Sequence, residues 1–186
     1  MGSEILVINA SPRPEGNSAH LAALCGEVFD GQGKSWERVD LRKLKIAPCH
    51  ACGLCRDGKA KYCAQKDGMT RLYDQVAECR ALLVLSPIYW FTYSAQLKAF
   101  IDRLYGLWNW DRSFLAGKRV GAVLVYADAD VYESGAIHAI TSLEHMFRYT
   151  QADCRGFAYG TAGDIGTAAG NADLLERTRR LALSLV

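Results

Sequence analysis

No apolar run in this chain approaches the ~18 residues that a membrane-spanning helix requires. Met1-Gly2-Ser3-Glu4 carries no basic n-region and no apolar h-region, so a secretory leader is not expected. The net charge is only +2, too small to argue for nucleic acid or a membrane surface as a partner. Neither GxxxxGKS/T nor GxGxxG occurs. The lysine cradle of a triphosphate site and the three-glycine approach to a pyrophosphate are therefore both missing. Internal repeats, low-complexity tracts and linkers are absent as well. The 186 residues, half of them apolar, are expected to form one domain over 1–186 around a full core. Seven cysteines without a leader point to a reducing compartment, the cytoplasm. There, clustered thiols mean metal or redox chemistry rather than a disulfide framework.

What is present begins with Ile5-Leu6-Val7-Ile8, an unalternating β-branched run, as in a strand covered on both faces. A polar turn follows from Ser11 through Gly16. A helix is expected from Asn17 or Ser18, both good N-caps, with Leu21, Leu24, Cys25 and Val28 on one face. A strand feeding a polar loop into a helix N-terminus makes an anion site, because unpaired N–H groups and the positive end of the dipole meet there. Ser11, Asn17 and Ser18 add short hydrogen-bonding groups and Arg13 adds a cation. A mononucleotide phosphate fits this loop best, and an ordinary unliganded strand–turn–helix is the alternative.

Alternation continues to the end of the chain. Strands are expected over Trp36–Leu41, Ala81–Leu85, Val120–Tyr126 and Cys154–Gly160. Helices are expected over Met69–Glu78, Ser94–Leu107, Glu133–Tyr149 and Ala172–Leu185. This pattern predicts an α/β fold: a doubly wound, five-stranded parallel sheet in the order 2-1-3-4-5 with helices on both faces. In that order ligands bind beyond the carboxyl ends of the first and third strands, where Ser11–Ser18 and Ser86–Trp90 would meet. Pro87, Ile88, Tyr89, Trp90 and Phe91 could wall a flat ring such as a flavin, or simply pack on the next helix.

Between Ala47 and Gly68 the alternation breaks into a long loop, and loops of this length inside a compact domain are usually functional. Its Cys49-x2-Cys52-x2-Cys55-x7-Cys63 spacing is typical of [4Fe–4S] ligation. Zinc more often takes two separated C-x2-C pairs, and free thiols are a third reading. His50 reads as an exposed neighbour of Cys49. Cys25, Cys79 and Cys154 read as small core residues. Asp102-Arg103 reads as a surface or interface pair. Trp108 and Trp110 read as the cover of a partner subunit's flavin or as interface packing.

Taken in order, several motifs resemble one family: Ser11-Pro12-Arg13-x-x-Gly16-Asn17-Ser18, the four-cysteine loop, Asp67-Gly68-Met69, Ser86-Pro87-Ile88-Tyr89-Trp90 and Leu97-Lys98-x-Phe100-Ile101-Asp102-Arg103. The set is similar to the flavodoxin-like NADPH-dependent FMN reductases and, within them, the iron–sulfur flavoproteins. The resemblance implies FMN, with its phosphate at Ser11, Arg13, Asn17 and Ser18. Its ring would lie along Pro87, Ile88, Tyr89 and Trp90, and the loop around Ala127 would complete the pocket. Asp128 and Asp130 in that loop stand where the family often has glycines. In the iron–sulfur flavoproteins, cysteines matching Cys49, Cys52, Cys55 and Cys63 hold a [4Fe–4S] cluster. Three functions are weighed. The first is an NAD(P)H-dependent flavin oxidoreductase serving a small-molecule or flavin acceptor. The second is an electron carrier with FMN and a cluster, serving a ferredoxin-like protein. The third is a zinc-stapled, flavin-free binding domain. Hydride transfer needs no acid–base side chain, so no catalytic residue is assigned. A homodimer or homotetramer is implied by the resemblance.

Overall fold

A computed structural model describes residues 3–186, so the leader expectation at Met1 and Gly2 lies outside the described residues. Strands form at β1 (Ile5–Asn9), β2 (Trp36–Asp40), β3 (Ala81–Tyr89), β4 (Thr92–Tyr93), β5 (Arg119–Tyr126) and β6 (Asp153–Thr161). Helices form at α1 (Asn17–Gly31), α2 (Met69–Glu78), α3 (Ala95–Trp110), α4 (Ala136–Tyr149) and α5 (Ala172–Ser184). The parallel sheet runs β2-β1-β3-β5-β6, and the two-residue β4 folds back antiparallel on the end of β3. With β4 set aside, this is the expected 2-1-3-4-5 order.

The unalternating strand runs follow from two cores, one on each face of the sheet. On β1, Ile5 and Val7 face α1 and α5, among Leu21, Cys25, Phe29 and Leu181. Leu6 and Ile8 face the other side, with Leu72 and Val76 of α2, Leu97 and Phe100 of α3 and Phe147 of α4. Each such side chain contributes about 1.5–3 kcal/mol by leaving water, so the sheet is a rigid platform for the loops at its carboxyl edge. Among the described residues, no helix is long and apolar enough to cross a membrane.

Several details depart from the sequence reading, among them β4 and the run of α3 to Trp110 rather than Leu107. β3 does not stop at Leu85 but continues through Pro87 to Tyr89, because β4 and β5 supply partners on either side. α4 begins at Ala136 rather than Glu133, because the Asp130 carboxylate accepts hydrogen bonds from the N–H groups of Tyr132 and Glu133 and holds them in a turn. Gly16, not Asn17 or Ser18, is the N-cap of α1, and it makes no side-chain cap. Cys25 and Cys79 are buried as expected, whereas Cys154 is exposed because it lies on the edge strand β6.

Candidate functional site

The carboxyl ends of β1, β3 and β5 open onto one hollow of about 190 Å³. Ser11, Arg13, Asn17, Ser18, Pro87, Ile88, Tyr89 and Ala127 all line it, as the sequence anticipates. Val125, Tyr126, Ala162 and Gly163 line it too and were not singled out from sequence. The available signal was their place: each sits at or just beyond the carboxyl end of β5 or β6, beside the switch point.

The first turn is held by its own polar groups. The Ser11 hydroxyl accepts from the Arg13 N–H at 3.2 Å, and the Asn9 carboxamide oxygen accepts from the Ser11 N–H at 3.3 Å. A Cβ at Gly16 would lie 3.0 Å from Ser11 Oγ and 3.1 Å from the Arg13 Cβ, so any side chain there would crowd the turn. The cradle thereby stays open at the start of α1, where the N–H groups of Asn17 and Ser18 have no backbone acceptor, while that of Ala19 already donates to the Gly16 carbonyl at 2.8 Å. Buried Ser18 lines this cradle, and Arg13 is exposed at its mouth. A phosphate dianion fits this donor set.

Asn17 takes a different part from the one its position indicates. Its Nδ2 donates to the carbonyls of Ala162 at 2.8 Å and Asp164 at 2.7 Å. Its Oδ1 accepts from the N–H groups of Gly166 at 3.0 Å and Ala168 at 3.2 Å. The side chain thus ties the loop after β6 to the first turn, and its main-chain N–H is what it can offer an anion. The tied loop supplies Ala162 and Gly163 to the hollow. It packs so closely on the loop after β5 that a Cβ at Gly163 would sit 3.1 Å from that of Ala127. Of that acidic loop only Ala127 reaches the hollow, since Asp130 is engaged with its own backbone.

Beyond Tyr89 the chain reverses at Trp90-Phe91, both left-handed, with φ of 48° and 70°. Two consecutive positive-φ residues form the tight hairpin turn that usually takes Asn-Gly. Here the turn carries two large rings, at roughly 1–2 kcal/mol of strain each. Trp90 is 91% exposed and stands outside the hollow that Pro87, Ile88 and Tyr89 line. Tyr89 also borders a larger groove of about 630 Å³, reaching Pro12 of the first turn and Pro48 of the cysteine loop.

In that loop, Cys49, Cys52, Cys55 and Cys63 line a single hollow of about 220 Å³ together with His50, Arg56 and Tyr105. Burial, and then the neighbouring thiols of Cys63 and Cys49, push the Cys55 thiol above its ordinary value. Among the described residues, no three His, Cys, Asp or Glu side chains converge to hold one ion. A tetrahedral zinc site needs that convergence. A [4Fe–4S] cube takes one cysteine on each of its four irons, so it gathers four thiols around one centre. Four thiolates are the donor set that such a cluster takes.

The Asp102-Arg103 reading is corrected in part. Asp102 pairs with Lys98 on the surface, but Arg103 is 1% exposed, bonded to Asp67. Trp108 stacks near Tyr105 and Tyr149 under the Arg112 guanidinium, while Trp110 is half-exposed against Tyr62.

Comparison with known proteins adds the following. The profile of the NADPH-dependent FMN reductase family matches residues 3–160. An iron–sulfur flavoprotein of Archaeoglobus fulgidus is 36% identical over 122 residues, which is 64% of this chain and 53% of that protein. The chain thus spans about half the length of that relative. A Bacillus subtilis protein, named as a candidate NAD(P)H-dependent FMN-containing oxidoreductase, is 26% identical over 185 residues, 96% of both chains. The solved structure of the Trp repressor binding protein from Bacillus subtilis superposes with a TM-score of 0.70 at 23% identity, covering 95% of this chain and 98% of that one. The fold is flavodoxin-like.

Proposed function

The chain belongs to the NADPH-dependent FMN reductase family, and from that premise we propose that it is an NAD(P)H-dependent FMN oxidoreductase. It passes electrons from a reduced nicotinamide to a small-molecule or flavin acceptor. One observation carries the reading: a phosphate-type cradle and the end of β3 line the same hollow, at the point where the strand order reverses.

FMN, when bound, supplies the hydride and electron chemistry. The chain's residues bind and orient it. Ser11, Ser18 and Arg13, with the N–H groups of Asn17 and Ser18, would hold the phosphate dianion by charge-assisted hydrogen bonds. Pro87, Ile88 and Tyr89 would line the ring, and Tyr126, Ala127, Ala162 and Gly163, which share the hollow, would complete the pocket. Trp90 would cover the ring at the exposed rim, and the protein would act as a homodimer or homotetramer. No side chain is assigned a proton.

The four thiols around one hollow favour a second element, a [4Fe–4S] cluster held by Cys49, Cys52, Cys55 and Cys63 in a reducing cytoplasm. With it the protein serves also as an electron carrier to a ferredoxin-like partner. Colourless protein with stoichiometric zinc would favour the zinc-stapled, flavin-free alternative instead. An anaerobic absorbance spectrum with iron analysis tests both parts. Flavin bands that bleach on adding NADPH support the oxidoreductase. Colourless protein that takes up no FMN overturns it. Cys52→Ala should abolish bound iron, and unchanged iron per chain would remove these ligands.

A further inference from the structure

We propose that Arg103 is the positioning residue of the cysteine loop, holding its four thiols around their hollow before any inorganic group arrives. The proposal rests on the reading of that loop as a cluster site.

The loop has almost no regular structure of its own. Between Ala47 and Gly68 its local backbone hydrogen bonds are Asp57 N–H to Gly53 and Lys59 N–H to Leu54, in a single turn. What holds it is a buried node at its two ends. The Arg103 guanidinium projects from α3 and donates to the Ala47 carbonyl at 2.9 Å, to both Asp67 carboxylate oxygens at 2.7 and 3.1 Å and to the Gln65 carbonyl at 3.4 Å. Its Nε donates to the Tyr73 hydroxyl at 3.3 Å. Asp67 in turn accepts from the N–H groups of Ala47 and Met69, both at 3.0 Å. One fork and one carboxylate therefore fasten positions 47, 65, 67 and 69, on either side of Cys49–Cys63.

The same helix fixes the interior of the loop. One turn beyond Arg103, a Cβ at Gly106 would lie 2.3 Å from the Tyr62 carbonyl oxygen. The backbone beside Cys63 thus rests directly on α3. Tyr73, bonded to Arg103, is buried, and its ring lies 5.0 Å from that of Tyr62, the residue before Cys63.

A buried ion pair adds little net stability, since desolvation offsets most of its attraction. What it does supply is geometry: a planar five-donor fork fixes several acceptors at once. Small metal sites commonly have no fold until the metal binds. Here the opposite holds. The thiols are pre-arranged by an organic frame, so the inorganic group can leave and return to a standing site.

The test uses full-length protein stripped of iron by a chelator under anaerobic conditions. Hydrogen exchange is read over residues 47–68, together with the rate of iron and sulfide uptake. In the wild type the hydrogen-bonded amides of Ala47, Asp57, Lys59 and Gly68 stay protected without iron. Arg103→Met raises their exchange, and slows uptake, on the order of 10- to 100-fold, from losing charge-assisted bonds, while sheet amides are unchanged. Arg103→Lys restores the pairing with Asp67 but not the bonds to Ala47 and Gln65, so protection recovers in part. Should Arg103→Met fail to fold, Asp67→Asn decides by the same readouts. Loop amides that exchange as fast in the wild type as in these variants would overturn the proposal. A wild-type protein that takes up no iron overturns the cluster reading instead, and exchange in the stripped protein still judges the frame.

Discussion

Replacing Asn17 by Ala separates a phosphate ligand from a structural tie. The substitution removes two donors and one doubly used acceptor. It frees the carbonyls of Ala162 and Asp164 and the N–H groups of Gly166 and Ala168. The bonds to Ala162 and Ala168 are buried, and their partners would be left without replacement at about 1–2 kcal/mol each. The other two are partly buried and recover water, at about 0.5 kcal/mol each. The sum is about 3–5 kcal/mol. At about 2–4 °C per kcal/mol for a domain of this size, Tm should fall on the order of 10 °C. The assay is thermal unfolding of flavin-free protein, followed by circular dichroism. A loss of that size with no flavin present marks Asn17 as the tie. FMN binding should weaken as well, because the untied loop carries Ala162 and Gly163. A flavin-free Tm unchanged from wild type would refute the reasoning and return Asn17 to the phosphate. Asn17→Asp keeps both acceptor roles but turns a carboxylate oxygen toward two carbonyls, so it should destabilise as well and repel the phosphate.

Three further outcomes are expected. Replacing Trp90-Phe91 by Asn-Gly relieves two left-handed aromatic residues, so Tm should rise by several degrees at roughly 1 kcal/mol or more per residue; an unchanged Tm would mean the turn is unstrained. Gly106→Ala drives a methyl into the Tyr62 carbonyl and should destabilise by about 1–3 kcal/mol in chemical denaturation, with loss of iron uptake; wild-type stability would contradict the close approach of loop and helix. Burial works against the Asp67 charge, but hydrogen bonds from Arg103, Ala47 and Met69 outweigh it, so its carboxyl lies below the ordinary range. Its stabilisation is therefore complete at neutral pH, declines once pH falls past the ordinary carboxylate value, and is gone below its own lowered one. Protection of the hydrogen-bonded loop amides, taken as exchange relative to an unstructured peptide at the same pH, should fall only in acid, and Asp67→Asn should flatten that dependence.

The site was legible where its signals are local. The apolar run, the polar turn and the helix start lie within Ile5–Ser18, so the cradle could be read from adjacent residues. The sheet order followed from alternation and the missing glycine fingerprint. Arg103 was misread because its partner Asp67 lies 36 positions away, while its neighbour Asp102 does pair at the surface. Asn17 looked like a cap because its true acceptors lie 145 and more positions further on. Cys154 has the size of a core residue, but only the sheet order reveals that its strand is an edge. The late start of α4 turned on one carboxylate, Asp130, whose choice between solvent, ligand and backbone no periodicity expresses.

The most direct measurement is a titration of flavin-free protein with FMN and, separately, with riboflavin, which lacks only the phosphate. Several charge-assisted bonds at the first turn predict that FMN binds at least about 100-fold more tightly, with Arg13→Ala narrowing the gap about 10-fold. Equal affinities for the two flavins would contradict a phosphate anchor at Ser11–Ser18.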